Sequence, residues 1–137
     1  MPKLQAVLET ALYVDDLARA KTFYETVLEL RVLRADSRFC AFDVNGRNVL
    51  LLFKRGGSAK AMPMPGGVIP PHDGAGPLHM AFAISAQDLS AWEAALAKYG
   101  IAIESRVTWP RGGTSLYFRD PDGHAIELAT PGLWEIY

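Results

Sequence analysis

The sequence predicts an α+β protein built from two tandem βαβββ modules, and three observations carry that reading. A strand, an amphipathic helix and three further strands succeed one another between residues 5 and 55, and the same order returns between residues 78 and 131. Each module closes its last pair of strands with a turn of recognisable chemistry, Asn45-Gly46 in the first and Asp120-Pro121-Asp122-Gly123 in the second. Between the modules, residues 56–77 alternate glycine with proline, so neither a helix nor a central strand is expected there.

In the first module, Ala6 to Val14 is an apolar, β-compatible run that stops at Asp15-Asp16, a pair suited to cap a helix. From there Leu17, Ala20, Phe23, Tyr24, Val27 and Leu28 recur at helical spacing, with Arg19, Lys21 and Glu25 on the opposite side. Strands are expected over Arg31 to Ala35, Arg38 to Asp43 and Arg47 to Phe53. In the second module His79 to Ile84 is a strand, and Ser85 or Asp88 caps a helix whose apolar positions are Leu89, Trp92, Leu96 and Tyr99. Gly100 stands where a left-handed helix stop is expected. Strands follow over Ile101 to Thr108, Thr114 to Phe118 and Ala125 to Ala129, and residues 132–137 form a tail. The long Gly/Pro-rich segment is read as a linker or a lid.

Composition narrows the functional classes. The chain has 137 residues, half of them apolar, with a formal net charge of −1, the profile of one compact soluble domain with a sizeable core. Lys and Arg number 14 against 15 Asp and Glu, with no basic block to track phosphates, so nucleic acid is not an expected partner. No run approaches the roughly 20 apolar residues of a membrane span. The opening MPKLQAVLETALYVDD lacks the apolar stretch of a signal peptide, and a cytoplasmic location is expected. Cys40 lies alone among apolar neighbours and reads as a small buried thiol.

Candidate functional residues emerge from the repeat. Glu9 and His79, 70 residues apart, head the first strand of each module, and on a register taken from the hairpin turns Glu127 falls opposite Leu50. Three of four equivalent positions therefore carry potential metal ligands. By strand parity Glu9, Ala11 and Tyr13 share one face, as do His79, Ala81 and Ala83, and Ser115 and Tyr117 share a face of their strand. The bulkier faces are expected to cover the helices and the smaller ones to line a cleft. Glu127, between Ile126 and Leu128, either points to solvent or sits inside with a partner.

The stretches LETALYVDDLARAKTFYETVLEL, HMAFAI and SLYFRDPDGHAIEL resemble the vicinal-oxygen-chelate superfamily of glyoxalase I, bleomycin-resistance proteins, fosfomycin-resistance enzymes and extradiol dioxygenases. The resemblance implies a U-shaped mixed β-sheet half-barrel with the helices outside. It also implies a divalent metal held by Glu9, His79 and Glu127, and a homodimer in which Glu9 meets the other two ligands either within one chain or across the interface. One imidazole and two carboxylates suit Mn²⁺, Fe²⁺, Ni²⁺ or Zn²⁺ and leave positions for two adjacent substrate oxygens. Either Glu127 or Glu9 is then a candidate catalytic base.

The function so implied is a metal-dependent lyase, isomerase, transferase or dioxygenase acting on a small molecule. The alternative is a metal-free drug-binding protein of the bleomycin-resistance type. Leu50, where a glyoxalase presents a further carboxylate, argues against glyoxalase I, and Glu9 in place of the usual His departs from the dioxygenases and fosfomycin enzymes. Ser115 and Tyr117 are candidate substrate contacts. Trp109 either stacks on a planar substrate or anchors its loop, and Arg111 either binds an anionic substrate or is a solvated charge. His124, just after the hairpin glycine, is expected to be exposed, and His72 is a weak candidate for closing over a ligand. Trp134 and Tyr137 are read as packing on a subunit.

Overall fold

A computed structural model describes all 137 residues, Met1–Tyr137. The chain divides into two compact units, Met1–Gly76 and Pro77–Tyr137, so the Gly/Pro-rich segment belongs with the first module. Each unit is a βαβββ fold in its own right, with its own four-stranded sheet.

In the first unit β1 (Glu9–Val14) is followed by α1 (Leu17–Thr26), β2 (Arg31–Ala35), β3 (Phe39–Val44) and β4 (Asn48–Lys54). The helix begins where Asp16 accepts the Arg19 backbone N–H through its side chain at 3.0 Å. Strand order is β1-β4-β3-β2, with β1 parallel to β4 and the other pairs antiparallel. The β3-β4 turn has positive φ at both Asn45 (53°) and Gly46 (66°), and the Arg47 N–H donates to the Val44 carbonyl at 3.1 Å. That is the turn chemistry the Asn-Gly pair predicts. Ala20, Phe23, Tyr24, Val27 and Leu28 meet the sheet face formed by Leu12, Val14, Cys40, Phe42, Leu50 and Leu52, all buried.

The Gly/Pro-rich segment is not wholly irregular. It carries a two-stranded hairpin, β5 (Met62–Met64) and β6 (Gly67–Ile69), around Pro65-Gly66. Pro63 pairs with Val68, one position beyond the pair that flanks the turn, where an antiparallel ladder asks no N–H of it. The rest of the segment is tied to its own unit. The Arg55 guanidinium donates to the Gly76 carbonyl (3.2 Å), the Gly56 N–H to Asp73 (3.1 Å), and the His72 N–H to the Ser58 carbonyl (2.9 Å). Gly74 lies against the Tyr13 ring so closely that a Cβ would stand 2.3 Å from a ring carbon.

The second unit repeats the plan with β7 (His79–Ala83), a 3₁₀ turn (Ala86–Asp88), α2 (Leu89–Lys98), β8 (Ser105–Thr108), β9 (Thr114–Arg119) and β10 (Ala125–Ala129). Its order, β7-β10-β9-β8, again sets the first strand parallel to the last. Ser85 caps the 3₁₀ turn rather than α2 itself. After α2, the Gly100 N–H donates to the Ala97 carbonyl (3.0 Å) and the Ile101 N–H to the Leu96 carbonyl (2.9 Å), a Schellman stop with Gly100 at φ 68°. Ile101 is thereby consumed by the helix end, so β8 starts at Ser105 rather than at Ile101.

His124 corrects its expectation: it is 0 % exposed. Its Nδ1 accepts the Leu78 backbone N–H at 2.8 Å, supplying a buried donor with the acceptor it needs just before β7. The turn ahead of it is held by Asp120, itself buried, which accepts the backbone N–H groups of Asp122 (3.0 Å) and His124 (2.9 Å). Removing that acceptor strands two amide donors, so Asp120→Ala is expected to lower stability by about 1–3 kcal/mol, read as a shift in the urea-unfolding midpoint.

Candidate functional site

The core of the site lies in the second unit, on the face of the sheet opposite the buried row Leu116, Phe118, Ile126 and Leu128. Glu127 pairs with Ala81 on one side and Tyr117 on the other, so all three side chains project to the same face. The small Ala81 leaves room above the strand. Although its face is the smaller and more polar one, Glu127 is only 4 % exposed. Of the two readings left open by the sequence, the structure adopts the inward one.

A buried carboxylate needs partners, because an ionised group without them costs several kcal/mol to remove from water. Glu127 has three. Its Oε1 accepts the hydroxyls of Ser115 (2.5 Å) and Tyr117 (3.0 Å), and its Oε2 faces His79 Nε2 at 3.3 Å. Burial, and then the hydrogen bond to Glu127, hold the Tyr117 phenol above its usual range, so it remains a donor. The His79 tautomer follows from its other nitrogen: Nδ1 lies 2.9 Å from the Ala125 carbonyl, which can only accept. Nδ1 is therefore protonated, which leaves Nε2 as the nitrogen that faces the carboxylate.

An imidazole nitrogen and a carboxylate oxygen that share one opening form half of a cation site once any proton between them leaves. This donor set fits a divalent metal. Two ligands about 2.0–2.1 Å from one ion stand roughly 3.0–3.4 Å apart, and the remaining nitrogen of a ligating histidine is normally fixed by a carbonyl or carboxylate. The His79 side chain is 54 % exposed, so the pair is open on one side.

The other expected residues are placed as follows. Ser115 is fully buried; it donates to Glu127 while accepting the Trp109 indole N–H at 2.8 Å. Trp109 thus reaches the carboxylate through Ser115. Arg111 is exposed and paired with Glu135 at 3.3 Å. Tyr137 reaches back to the Ile84 carbonyl (2.7 Å), and Trp134 is exposed. Glu9 is exposed at the head of β1 in the first unit. Neither unit by itself gathers three metal-ligating side chains.

Strand pairing corrects one equivalence. In the first unit Ala11, the counterpart of Ala81, pairs with Leu51, so Leu51 and not Leu50 occupies the position of Glu127. The turns misled because they differ in length: Val44 pairs with Asn48, whereas Arg119 pairs with Ala125. Leu50 faces the helix and is 1 % exposed.

The first unit bears a second concavity on the same face of its sheet. Glu9, Ala11, Tyr13, Leu51 and Phe53 line it from β1 and β4, and Pro70, Pro71 and His72 from the strapped segment. His72 was the weak candidate of the sequence, yet its Nδ1 is hydrogen-bonded to the Tyr13 hydroxyl at 2.7 Å and its ring meets Phe53 edge-on at 4.6 Å. The tight Gly74 contact is invisible in the sequence.

The fold and the site together define a tandem βαβββ protein with a buried carboxylate-imidazole pair. Comparison with known proteins agrees: residues 6–128 match the family described as the Glyoxalase/Bleomycin resistance protein/Dioxygenase superfamily. The chain belongs to that superfamily. It is 32 % identical over 123 residues to a metallothiol transferase FosB of Bacillus licheniformis, covering 89 % of this chain and 73 % of the relative. A lactoylglutathione lyase structure from Agrobacterium tumefaciens is 33 % identical, with a TM-score of 0.87 over 98 % of this chain and 99 % of that one. The fosfomycin resistance protein FosX of Mesorhizobium loti is 26 % identical, with a TM-score of 0.60 over 95 % and 93 %.

Cys40 stands outside all of this chemistry. It is buried under α1, and burial pushes its thiol up to about 11. In the native protein it is expected to resist a disulfide reagent at neutral pH and to react fully once urea unfolds the chain, as followed by thionitrobenzoate release.

Proposed function

We propose that the protein is a metal-dependent enzyme whose divalent ion is held by His79, Glu127 and Glu9 and binds a small substrate through two adjacent oxygens. The observation that carries this reading is the arrangement of His79 Nε2 against Glu127 Oε2, two potential ligand atoms 3.3 Å apart, with Nδ1 held by the Ala125 carbonyl. The relatives named as a metallothiol transferase and a lactoylglutathione lyase support an enzyme of the transferase or lyase kind. Leu51, apolar where Glu127 has its counterpart, speaks against a second carboxylate of the glyoxalase I type.

When bound, the ion would supply Lewis acidity toward the substrate oxygens. The residues divide the remaining work. Ser115 and Tyr117 fix the Glu127 carboxylate, and Trp109 fixes Ser115. Ala125 fixes the His79 ring. With two hydroxyls on one oxygen, Glu127 is poorly placed to take a further proton. Glu9, exposed and without a side-chain partner of its own, is the ligand that would loosen from the ion to act as a base. A homodimer forms part of this reading.

The test is the metal content of untagged protein, by mass spectrometry. Wild type is expected to hold close to one Mn, Fe, Ni or Zn per chain, and Glu127→Gln and His79→Ala to lose it. Wild type that stays empty after incubation with each metal would sink the reading. Ser115→Ala is expected to weaken metal binding by about 10–100-fold without abolishing it, measured by competition with a chelator. Mixing Glu9→Gln with Glu127→Gln chains then tells whether Glu9 is supplied by the same chain, since only a site shared between partners regains metal.

A further inference from the structure

The first unit carries a pocket that meets the proposed metal site only at Glu9 and whose aromatic part the metal chemistry does not use. Tyr13, Phe53 and Phe39 are direct cross-strand neighbours on β1, β4 and β3 and face the same side. Their rings form a row, 6.0 Å and 5.9 Å between successive centroids, inclined by only 26° and 29°. The strapped segment faces this row with Ile69, Pro70 and Pro71, and together they bound an open cleft of about 610 Å³, the size of an ordinary small-molecule site. His72 closes one side against Tyr13 and Phe53.

Charge in the pocket is placed at its ends. Arg38 lines it half-buried, its guanidinium 5.8 Å from the Phe39 ring centroid. Arg31, Arg55, Arg106, Arg111 and Arg119 are all paired with carboxylates, whereas Arg38 makes no salt bridge. The nearest acid in sequence, Asp36, accepts the backbone N–H groups of Arg38 (2.8 Å) and Phe39 (3.0 Å) and feels the Arg38 charge without forming a salt bridge with it. Glu9 lies four residues before Tyr13, roughly 13 Å along the strand, at the far end.

We propose that this pocket binds a flat aromatic anion, its ring system along the Tyr13, Phe53 and Phe39 row and its negative charge at Arg38. A guanidinium already seated over an aromatic ring is weakly hydrated and geometrically fixed, so it meets a carboxylate, sulfonate or phosphonate at little further ordering cost. The rings and prolines accept the apolar body, and the Tyr13 and His72 pair offers the one polar contact along the side. The inference deepens the enzyme reading by giving the substrate an aromatic, anionic part, and it rests on that reading only in calling the occupant a substrate. Binding itself needs one unit and no metal.

The experiment uses full-length protein stripped of metal with a chelator. Its probes are 8-anilinonaphthalene-1-sulfonate, a flat aromatic anion, and N-phenyl-1-naphthylamine, its neutral counterpart, both read by fluorescence. Wild type is expected to bind the anion saturably, near one per chain. Arg38→Ala is expected to weaken the anion at least tenfold while leaving the neutral probe within about twofold, which also reports that the pocket is still folded. His72→Ala, in the strapped segment, is expected to weaken both. If the anion binds Arg38→Ala as it binds wild type, or if neither variant changes either probe, the dye sits elsewhere and the proposal is overturned. Because no metal is present, that failure leaves the metal reading untouched, and an empty metal site leaves this one untouched.

Discussion

The site depends on keeping one carboxylate inside a sheet. Glu127 lies in a strand whose neighbours are apolar, and the cost of burying it is offset by the hydroxyls of Ser115 and Tyr117 and by the imidazole of His79. Each partner is positioned by a ladder contact. Tyr117 is directly opposite on β9, Ser115 is two residues before it, and His79 heads the parallel neighbour β7. The last strand lying between the first and the third is what brings these three side chains to one carboxylate. Without the crossover through α2 that makes β7 parallel to β10, His79 would not stand beside Glu127.

The two units share a backbone plan and divide its chemistry. Pairing registers place Tyr13 where Ala83 lies, Leu51 where Glu127 lies, Phe53 where Ala129 lies, Phe39 where Ser115 lies and Ala41 where Tyr117 lies. One sheet therefore offers an imidazole, a carboxylate and two hydroxyls, and the other offers aromatic rings. Equivalent positions that are small in one unit are large in the other, so the polar site has room and the apolar one has walls. The strapped segment adds His72 and two prolines to the aromatic side, and Gly74 lets it approach Tyr13.

Much of this was legible in the sequence where local chemistry decides the outcome. The periodicity of α1 and its Asp16 cap, the Asn45-Gly46 and Asp120 to Gly123 turns, and the parity of β1, β7 and β9 all appear in the structure as read. The misses arose where a long-range contact decided. His124 is buried because Leu78, 46 residues earlier, needs an acceptor. Ile101 leaves its strand because Leu96 needs a donor. Leu50 was mistaken for Leu51 because turn length, not turn chemistry, sets the register. The aromatic row was missed altogether, since Tyr13, Phe39 and Phe53 read as ordinary strand residues until their strands are paired.

The most direct test of the metal reading is the ¹⁵N spectrum of the His79 imidazole, assigned with His79→Ala and followed as Zn²⁺ is added. The account requires Nδ1 to stay protonated throughout, while the Nε2 resonance alone shifts strongly and saturates near one equivalent. An Nε2 resonance indifferent to saturating metal, or metal taken up at Nδ1 instead, would contradict it.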